Sequence, residues 1–344
     1  MHNPLNIAIV GCGRIAQRHA AACLQTEGAR LAAAVDADLE RARSLARLAG
    51  GDVQAATSID ELPGGIDGAV IATPNHLHCE TAIACLKRGI SVLIEKPLAT
   101  TVADGEAIHL EAVKQGRVAC VGYSQRHRPN VQLMKRLLER EHFGAVKRFA
   151  YQCGSRGGWS PLSRYNLDRQ SVGGGVLVVM GTHFLDRMLH WFGYPREAAL
   201  VHDGAGGPEA NAFASFRFDF GGRQLEGEAR FSKMTAMTPV IAMDAEAGTV
   251  VLADHDRAQI RLFPHTEPGL AVVLQDRGAS GDPGDIFQLQ LADFVAACRG
   301  EREPMSPSAS ALESLRLLET LYAQAEPFDA PRSPVQPVQE LISL

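Results

Sequence analysis

The residues with the plainest chemical meaning lie in Ile7-Ala-Ile-Val-Gly11-Cys12-Gly13-Arg14-Ile15-Ala16-Gln-Arg-His19. An apolar run stops at one glycine, a second follows two residues later, and a helix-forming stretch begins. This is the G-x-G-x-x-G/A dinucleotide spacing with a strand before it and a helix after it. Gly11 lets the backbone turn sharply, Gly13 leaves no side chain in the way of a pyrophosphate, and Ala16 lets the helix pack closely on the sheet. The helix's first N–H groups and positive dipole end then face the phosphates. Cys12, Arg14 and Ile15 share the turn and join the candidate cofactor site. Asp36 follows Ala16 by twenty residues and closes the next apolar run, the offset of a carboxylate on ribose hydroxyls. A carboxylate there repels a 2′-phosphate, so NAD is favoured over NADP, with Arg41 as a phosphate partner if NADP binds.

Lys96 is the second chemical feature. It directly follows Ser91-Val-Leu-Ile-Glu95, an apolar strand ending in an acid. In a partly dry crevice an ammonium loses hydration and its pKa falls toward neutrality, as a general acid/base requires. The alternative is a lysine that only anchors cofactor phosphates or a neighbouring carboxylate. Pro97 removes a backbone donor and admits a cis bond.

The elements that position these residues alternate. Apolar runs at 7–10, 30–35, 68–73, 91–95 and 118–121 are separated by helical patterns at 38–48, from Pro74 to about 88, and from a capping box at Thr101 and Asp104 to about 115. Strand–helix alternation predicts a doubly wound parallel sheet over residues 1–122. Ligands of such sheets sit beyond the carboxyl ends of the strands, which here carry Gly11, Asp36, Thr73-Pro74-Asn75, Glu95-Lys96-Pro97 and Tyr123.

With 344 residues the chain suits two domains. A net charge of −5 exerts no pull toward nucleic acid or anionic membrane, and no apolar stretch approaches a membrane span. With a strand that starts almost at once, no cleaved leader is expected. Seven scattered cysteines without a C-x-x-C pair fit reduced thiols in a cytoplasm, and no residues have metal-ligand spacing.

Taken together, the sequence resembles the glucose–fructose oxidoreductase / inositol dehydrogenase / MocA family. The likeness rests on Gly11-Cys-Gly-Arg-Ile-Ala16, Ala72-Thr-Pro-Asn75 with His76 and His78, Glu95-Lys-Pro97, and Gly173-Gly-Gly175 leading to Gly181-Thr-His183-Phe-Leu-Asp186. It implies an N-terminal Rossmann domain, a C-terminal domain on an open, mainly antiparallel sheet, and NAD(P)-linked hydride transfer on a sugar or polyol. By this resemblance Lys96 takes the place of the catalytic lysine and His183 that of the catalytic histidine, with His78 beside the cofactor loop. One position departs: the aspartate usual four residues before the histidine is Val179 here, which leaves Lys96 and His183 alone or with a replacement such as Tyr165.

The second half, 123–344, is read as a substrate-binding and oligomerisation domain. Gln125 and Arg126 follow the last Rossmann strand and by the resemblance contact cofactor or substrate; the plainer reading is a basic linker. A long polar loop carries Trp159, Arg164, Tyr165 and Asn166, which suit a sugar ring and equally suit a subunit contact. Residues 176–192 read as one apolar helix on which His183 shares a face with Val176, Val179 and Met180, and Arg187 is the stripe's polar member. A lone histidine on such a face is often a core residue; the resemblance makes it catalytic. Strand-like segments at 145–154, 198–202, 212–220, 224–231, 240–245, 250–252, 260–263 and 270–274 predict a broad sheet, with helices near 285–298 and 308–326 and a proline-spaced tail. A sister subunit is the expected cover for the sheet's second face, giving a homodimer or homotetramer. The expected activity is NAD(P)-dependent hydride transfer between nicotinamide C4 and a carbinol carbon of a sugar, nucleotide sugar or cyclitol. Its rivals are redox-neutral sugar chemistry on a retained NAD and a non-catalytic dinucleotide sensor.

Overall fold

The computed structural model describes residues 3–50, 52–156, 168–267, 269–276 and 285–328. The chain forms two compact units, Met1–His127 with Gly284–Leu315, and Arg128–Pro283 with Arg316–Leu344. The sequence reading divides the chain once, after residue 122, and leaves the final helices to the second half. Here the segment from 284 to 315 belongs to the first unit.

In the first unit, β1 (Leu5–Val10), α1 (Arg14–Gln25), β2 (Ala29–Val35), α2 (Leu39–Ala49), β3 (Gln54–Ala56), β4 (Gly68–Ile71), α3 (His78–Lys87), β5 (Ser91–Ile94), α4 (Val102–Gln115) and β6 (Ala119–Val121) follow in order. Their six strands pair in parallel in the order β3-β2-β1-β4-β5-β6. Every residue of β4 and β5 is buried, which is why both read as uninterrupted apolar runs. Asp38 caps α2 by accepting from the Glu40 N–H, and Thr101 caps α4 by accepting from Asp104. Strand order reverses between β1 and β4, so the crevice of a doubly wound sheet opens beyond their carboxyl ends.

In the second unit, α5 (Pro129–Glu139) leads to β7 (Val146–Gly154), and α6 (Arg169–Val172) and α7 (Thr182–Phe192) precede a run of strands. These are β8 (Glu197–His202), β9 (Asn211–Phe220), β10 (Arg223–Ser232), β11 (Met237–Ala245), β12 (Gly248–Ala253), β13 (Gln259–Pro264) and β14 (Val272–Gln275). Between this run and the last strand the chain returns to the first unit with α8 (Ile286–Cys298), continues into α9 (Ser308–Ala323), and ends the second unit with β15 (Glu326–Pro327). The sheet order is β14-β13-β12-β11-β7-β10-β9-β8-β15, antiparallel except at β7–β10 and β8–β15. β3, α6 and β15 are absent from the sequence reading because two to four residues show no period.

An aromatic layer joins α7 to this sheet: Tyr151 stacks on Phe184 at 4.2 Å and Phe149 on Phe192 at 5.2 Å. Gly227 makes room, since a Cβ there would stand 2.0 Å from the Phe149 ring. α8 packs on the first unit in the same way. Phe294 joins Ala16, Ala20 and Cys23 in one core, and a Cβ on Gly68 would meet its ring at 2.8 Å.

The region expected as one α-helix from 176 is instead a π turn at Leu177–Gly181 followed by α7. Glu209 explains the irregular start. Its carboxylate accepts from the Leu177 N–H at 2.9 Å and from the Tyr322 hydroxyl at 2.7 Å, and its carbonyl accepts from Val176. Arg187 also differs from expectation. It is wholly buried and donates to Asp254 at 2.6 Å, while Val179, Met180 and His183 remain partly exposed.

Candidate functional site

The turn after β1 is shaped for a ligand with no large side chain in its path. Gly11 has φ +91°, and a Cβ there would lie 2.6 Å from the backbone of Ala72 and Thr73. Gly13 is the opposite case, with nothing within 4 Å of where its Cβ would be. It stands at the N-cap of α1 without a side-chain cap, and no acid occupies the first turn. Arg14 is exposed there and Ile15 half-buried. Uncapped N–H donors at the positive end of a helix are what an anionic pyrophosphate requires.

Asp36, at the end of β2, braces that turn. One carboxylate oxygen accepts from the Cys12 N–H at 2.8 Å and the other from Asp38 N–H at 2.9 Å. Both oxygens retain lone pairs for ribose hydroxyls. The Cys12 thiol donates to the Val35 carbonyl, and burial with the nearby Asp36 charge pushes its pKa up to about 12. It is an inert neighbour of the turn rather than a nucleophile. Arg41 is exposed and pairs with Asp38 at 3.4 Å.

The tips of β4 and β5 contribute Thr73, Pro74 and Asn75, and Glu95, Lys96 and Pro97. The Thr73 hydroxyl is buried with no hydrogen-bond partner, and so is the amide oxygen of Gln125 just past β6. Buried polar atoms left unsatisfied at the strand ends fit a polar ligand that completes them, and Thr73 also adjoins the Gly11 turn. Those two atoms, the bare Gly13 turn and the braced Asp36 together suit a dinucleotide. The Lys96–Pro97 bond is cis, and both Glu95 and Lys96 are half-buried.

Three expectations need correction or lie elsewhere. His78 is wholly buried against the backbone of the Thr73 loop, with Nδ1 2.9 Å from the Pro97 carbonyl and Nε2 3.1 Å from that of Thr73, so its ring nitrogens meet carbonyls rather than the open crevice. Arg126 is also buried. Its Nη1 donates to the Met305 carbonyl at 2.7 Å and to Ser310 at 3.2 Å, which ties the β6 exit to the first turn of α9 and the segment before it rather than presenting a charge to substrate. Trp159, Arg164, Tyr165 and Asn166 lie outside the described residues. On the second unit, His183 is half-buried in the first turn of α7.

Two features escaped the sequence reading. His19 is buried on α1, and its Nε2 donates to Glu95 at 2.7 Å. The signal was a ring nitrogen on the same face as Ala16, Ala20 and Cys23, where a helix on a sheet is otherwise apolar. The second is Asp254, which gathers Arg187, Arg128 and the Tyr151 hydroxyl in the second unit. These guanidinium groups hold its carboxyl below the usual carboxylate range despite burial. Nothing local in the sequence marks it, because its partners are far apart in the chain.

Comparison with known proteins agrees with this fold. Residues 5–123 match the family model described as oxidoreductase family, NAD-binding Rossmann fold, and residues 135–328 match oxidoreductase family, C-terminal alpha/beta domain. The inositol 2-dehydrogenase 1 of Saccharopolyspora erythraea is 37% identical over 144 residues, covering 41% of this chain and 43% of that protein. The 4-carboxy-2-hydroxymuconate-6-semialdehyde dehydrogenase of a Sphingobium species is 24% identical over 94% of this chain and 99% of its own length. Among solved structures, a levoglucosan dehydrogenase in complex with NADH and levoglucosan superposes with a TM-score of 0.82 at 20% identity, over 94% of this chain and 97% of that one. At that identity the likeness is one of fold.

Proposed function

This chain belongs to the glucose–fructose oxidoreductase / inositol dehydrogenase / MocA family of NAD-binding oxidoreductases, and from that premise we propose that it is an NAD-dependent dehydrogenase of a sugar, nucleotide sugar or cyclitol carbinol. When bound, the nicotinamide supplies the hydride acceptor or donor. Lys96 takes or returns the hydroxyl proton, and His183 orients or shares it. Tyr165 is the proposed third polar group in place of the carboxylate that Val179 lacks, with Trp159, Arg164 and Asn166 holding the ring. The observation that carries the reading is the bare, uncapped turn at Gly13 with Asp36 braced beside it and Lys96 at the tip of a strand of the same sheet. On this reading Asp36 favours NAD, since a carboxylate beside the ribose repels a 2′-phosphate.

A sister copy on the broad sheet of the second unit is the proposed partner, and the seven thiols, all free, suit a reducing compartment. Among the described residues no helix is long and apolar enough to cross a membrane. The test is twofold. Calorimetry with NAD and NADP separately should give tighter NAD binding; tighter NADP binding rejects the role of Asp36. A screen of inositols, free sugars and nucleotide sugars, followed by nicotinamide absorbance, should find reduction that Lys96→Ala abolishes.

A further inference from the structure

Two buried histidines contact the residues that precede and follow Lys96 in the chain, and the chemistry above leaves both without a task. His19, on α1, is 1% exposed; its Nε2–H donates to Glu95 Oε1 at 2.7 Å, and its ring meets Phe287 edge-on at 5.0 Å. The other oxygen of Glu95 accepts from the Lys96 backbone N–H at 3.2 Å. Glu95 is confined from behind as well, because a Cβ on Gly122 would lie 3.3 Å from its Cα and Cδ. Beside the residue after the lysine, His78 opens α3 with no exposure at all and faces the Pro97 and Thr73 carbonyls. Burial pushes the His78 pKa down, although both carbonyls pull it up. A neutral ring carries one N–H, and the Pro97 carbonyl is the nearer acceptor.

Burying a polar ring costs free energy unless its bonds are made, and an apolar residue would fill either space without that cost. Both rings aim at the two residues that flank Lys96 in the chain. We infer that His19 and His78 are positioning residues that lock the Glu95-Lys96-Pro97 turn from its two sides and so present the Lys96 ammonium in one orientation. The inference rests on the reading of Lys96 as the acid/base group. It also ties that turn to both candidate cofactor loops, since α1 begins at the glycine turn and His78 touches Thr73.

The test uses the full chain and no sugar. Lys96 is acetylated with acetic anhydride and its peptide followed by mass spectrometry, with exposed Lys114 as internal reference. A glutamine carries its amide nitrogen where Nε2 lies and an asparagine where Nδ1 lies. The two sites therefore respond in opposite ways. His19→Gln and His78→Asn should keep the Lys96 rate, whereas His19→Asn and His78→Gln should change it by about threefold to tenfold, the loss of one buried hydrogen bond. All four variants acting alike, or none acting, overturns the inference. If a mismatched variant does not fold, the double variant H19Q/H78N decides. A wild-type Lys96 rate supports the lock, and a changed rate or a failure to fold overturns it. Undiminished hydride transfer in Lys96→Ala would remove the acid/base reading while leaving the labelling pattern intact, so the two failures are separable.

Discussion

Two glycines two residues apart do opposite jobs. Gly11 is held by its own backbone: φ +91° and a 2.6 Å approach to Ala72 and Thr73 leave no place for a methyl group. Gly11→Ala should destabilise the first unit by about 3 kcal/mol or more, from the left-handed conformation and the overlap with main chain. Gly13→Ala has open space, so its unfolding free energy should stay within about 0.5 kcal/mol. Its NAD affinity should nevertheless fall at least about tenfold, because the methyl stands where phosphate oxygens approach. Urea unfolding and calorimetry on the same preparations separate the two effects. The shape of the Gly11–Gly13 turn was legible because a strand–turn–helix unit keeps its signal within a few residues, and Asp36 because it closes the next strand at a fixed offset. His19 and His78 were not read as supports, because the glutamate and carbonyl they serve lie 76 and 19 residues away.

At the scale of elements, the segment carrying His183 departs from a regular helix for an identifiable reason. Glu209 captures the Leu177 N–H that an unbroken first turn would leave to water, and Tyr322 holds the same oxygen. Glu209→Ala should cost about 1–3 kcal/mol by orphaning that buried N–H, and Glu209→Gln markedly less, as thermal unfolding would read. Further along α7, Arg187 depends on Asp254. Asp254→Ala leaves a fully buried guanidinium without its counter-charge and should cost about 3–5 kcal/mol. The strands of the second unit were legible from alternation, as in Phe216-Arg-Phe-Asp-Phe220, whose phenylalanines at 216 and 218 are buried and whose Arg217 and Asp219 are exposed. The π turn was not, because an apolar run such as Leu177–Gly181 looks the same in either register, and only the distant Glu209 selects between them.

For the molecule as a whole, acid is the condition that its buried histidines resist least. Burial, with Arg126 and Arg302 close by, holds His127 at about 4. Well above pH 6.5 the ring is neutral folded or unfolded and contributes no slope. Between about 6.5 and 4 the unfolded chain takes up a proton that the folded chain refuses, so stability falls on acidification, by up to about 3 kcal/mol. His78, also lowered, acts in the same direction. Urea unfolding at pH 7 and pH 4.5 should show this loss, and His127→Asn should make it shallower. The division of the chain was the least legible feature, since nothing near residue 284 announces a return to the first sheet. That return carries a cost in time. Phe294, which fills the space Gly68 leaves open, is made about 170 residues after β6, roughly ten to thirty-five seconds at ribosomal speeds. Until then the nascent nucleotide module has an unroofed apolar flank, a surface for chaperones to hold, and a chain cut at 127 should stay soluble only when a peptide spanning 285–315 is supplied alongside it.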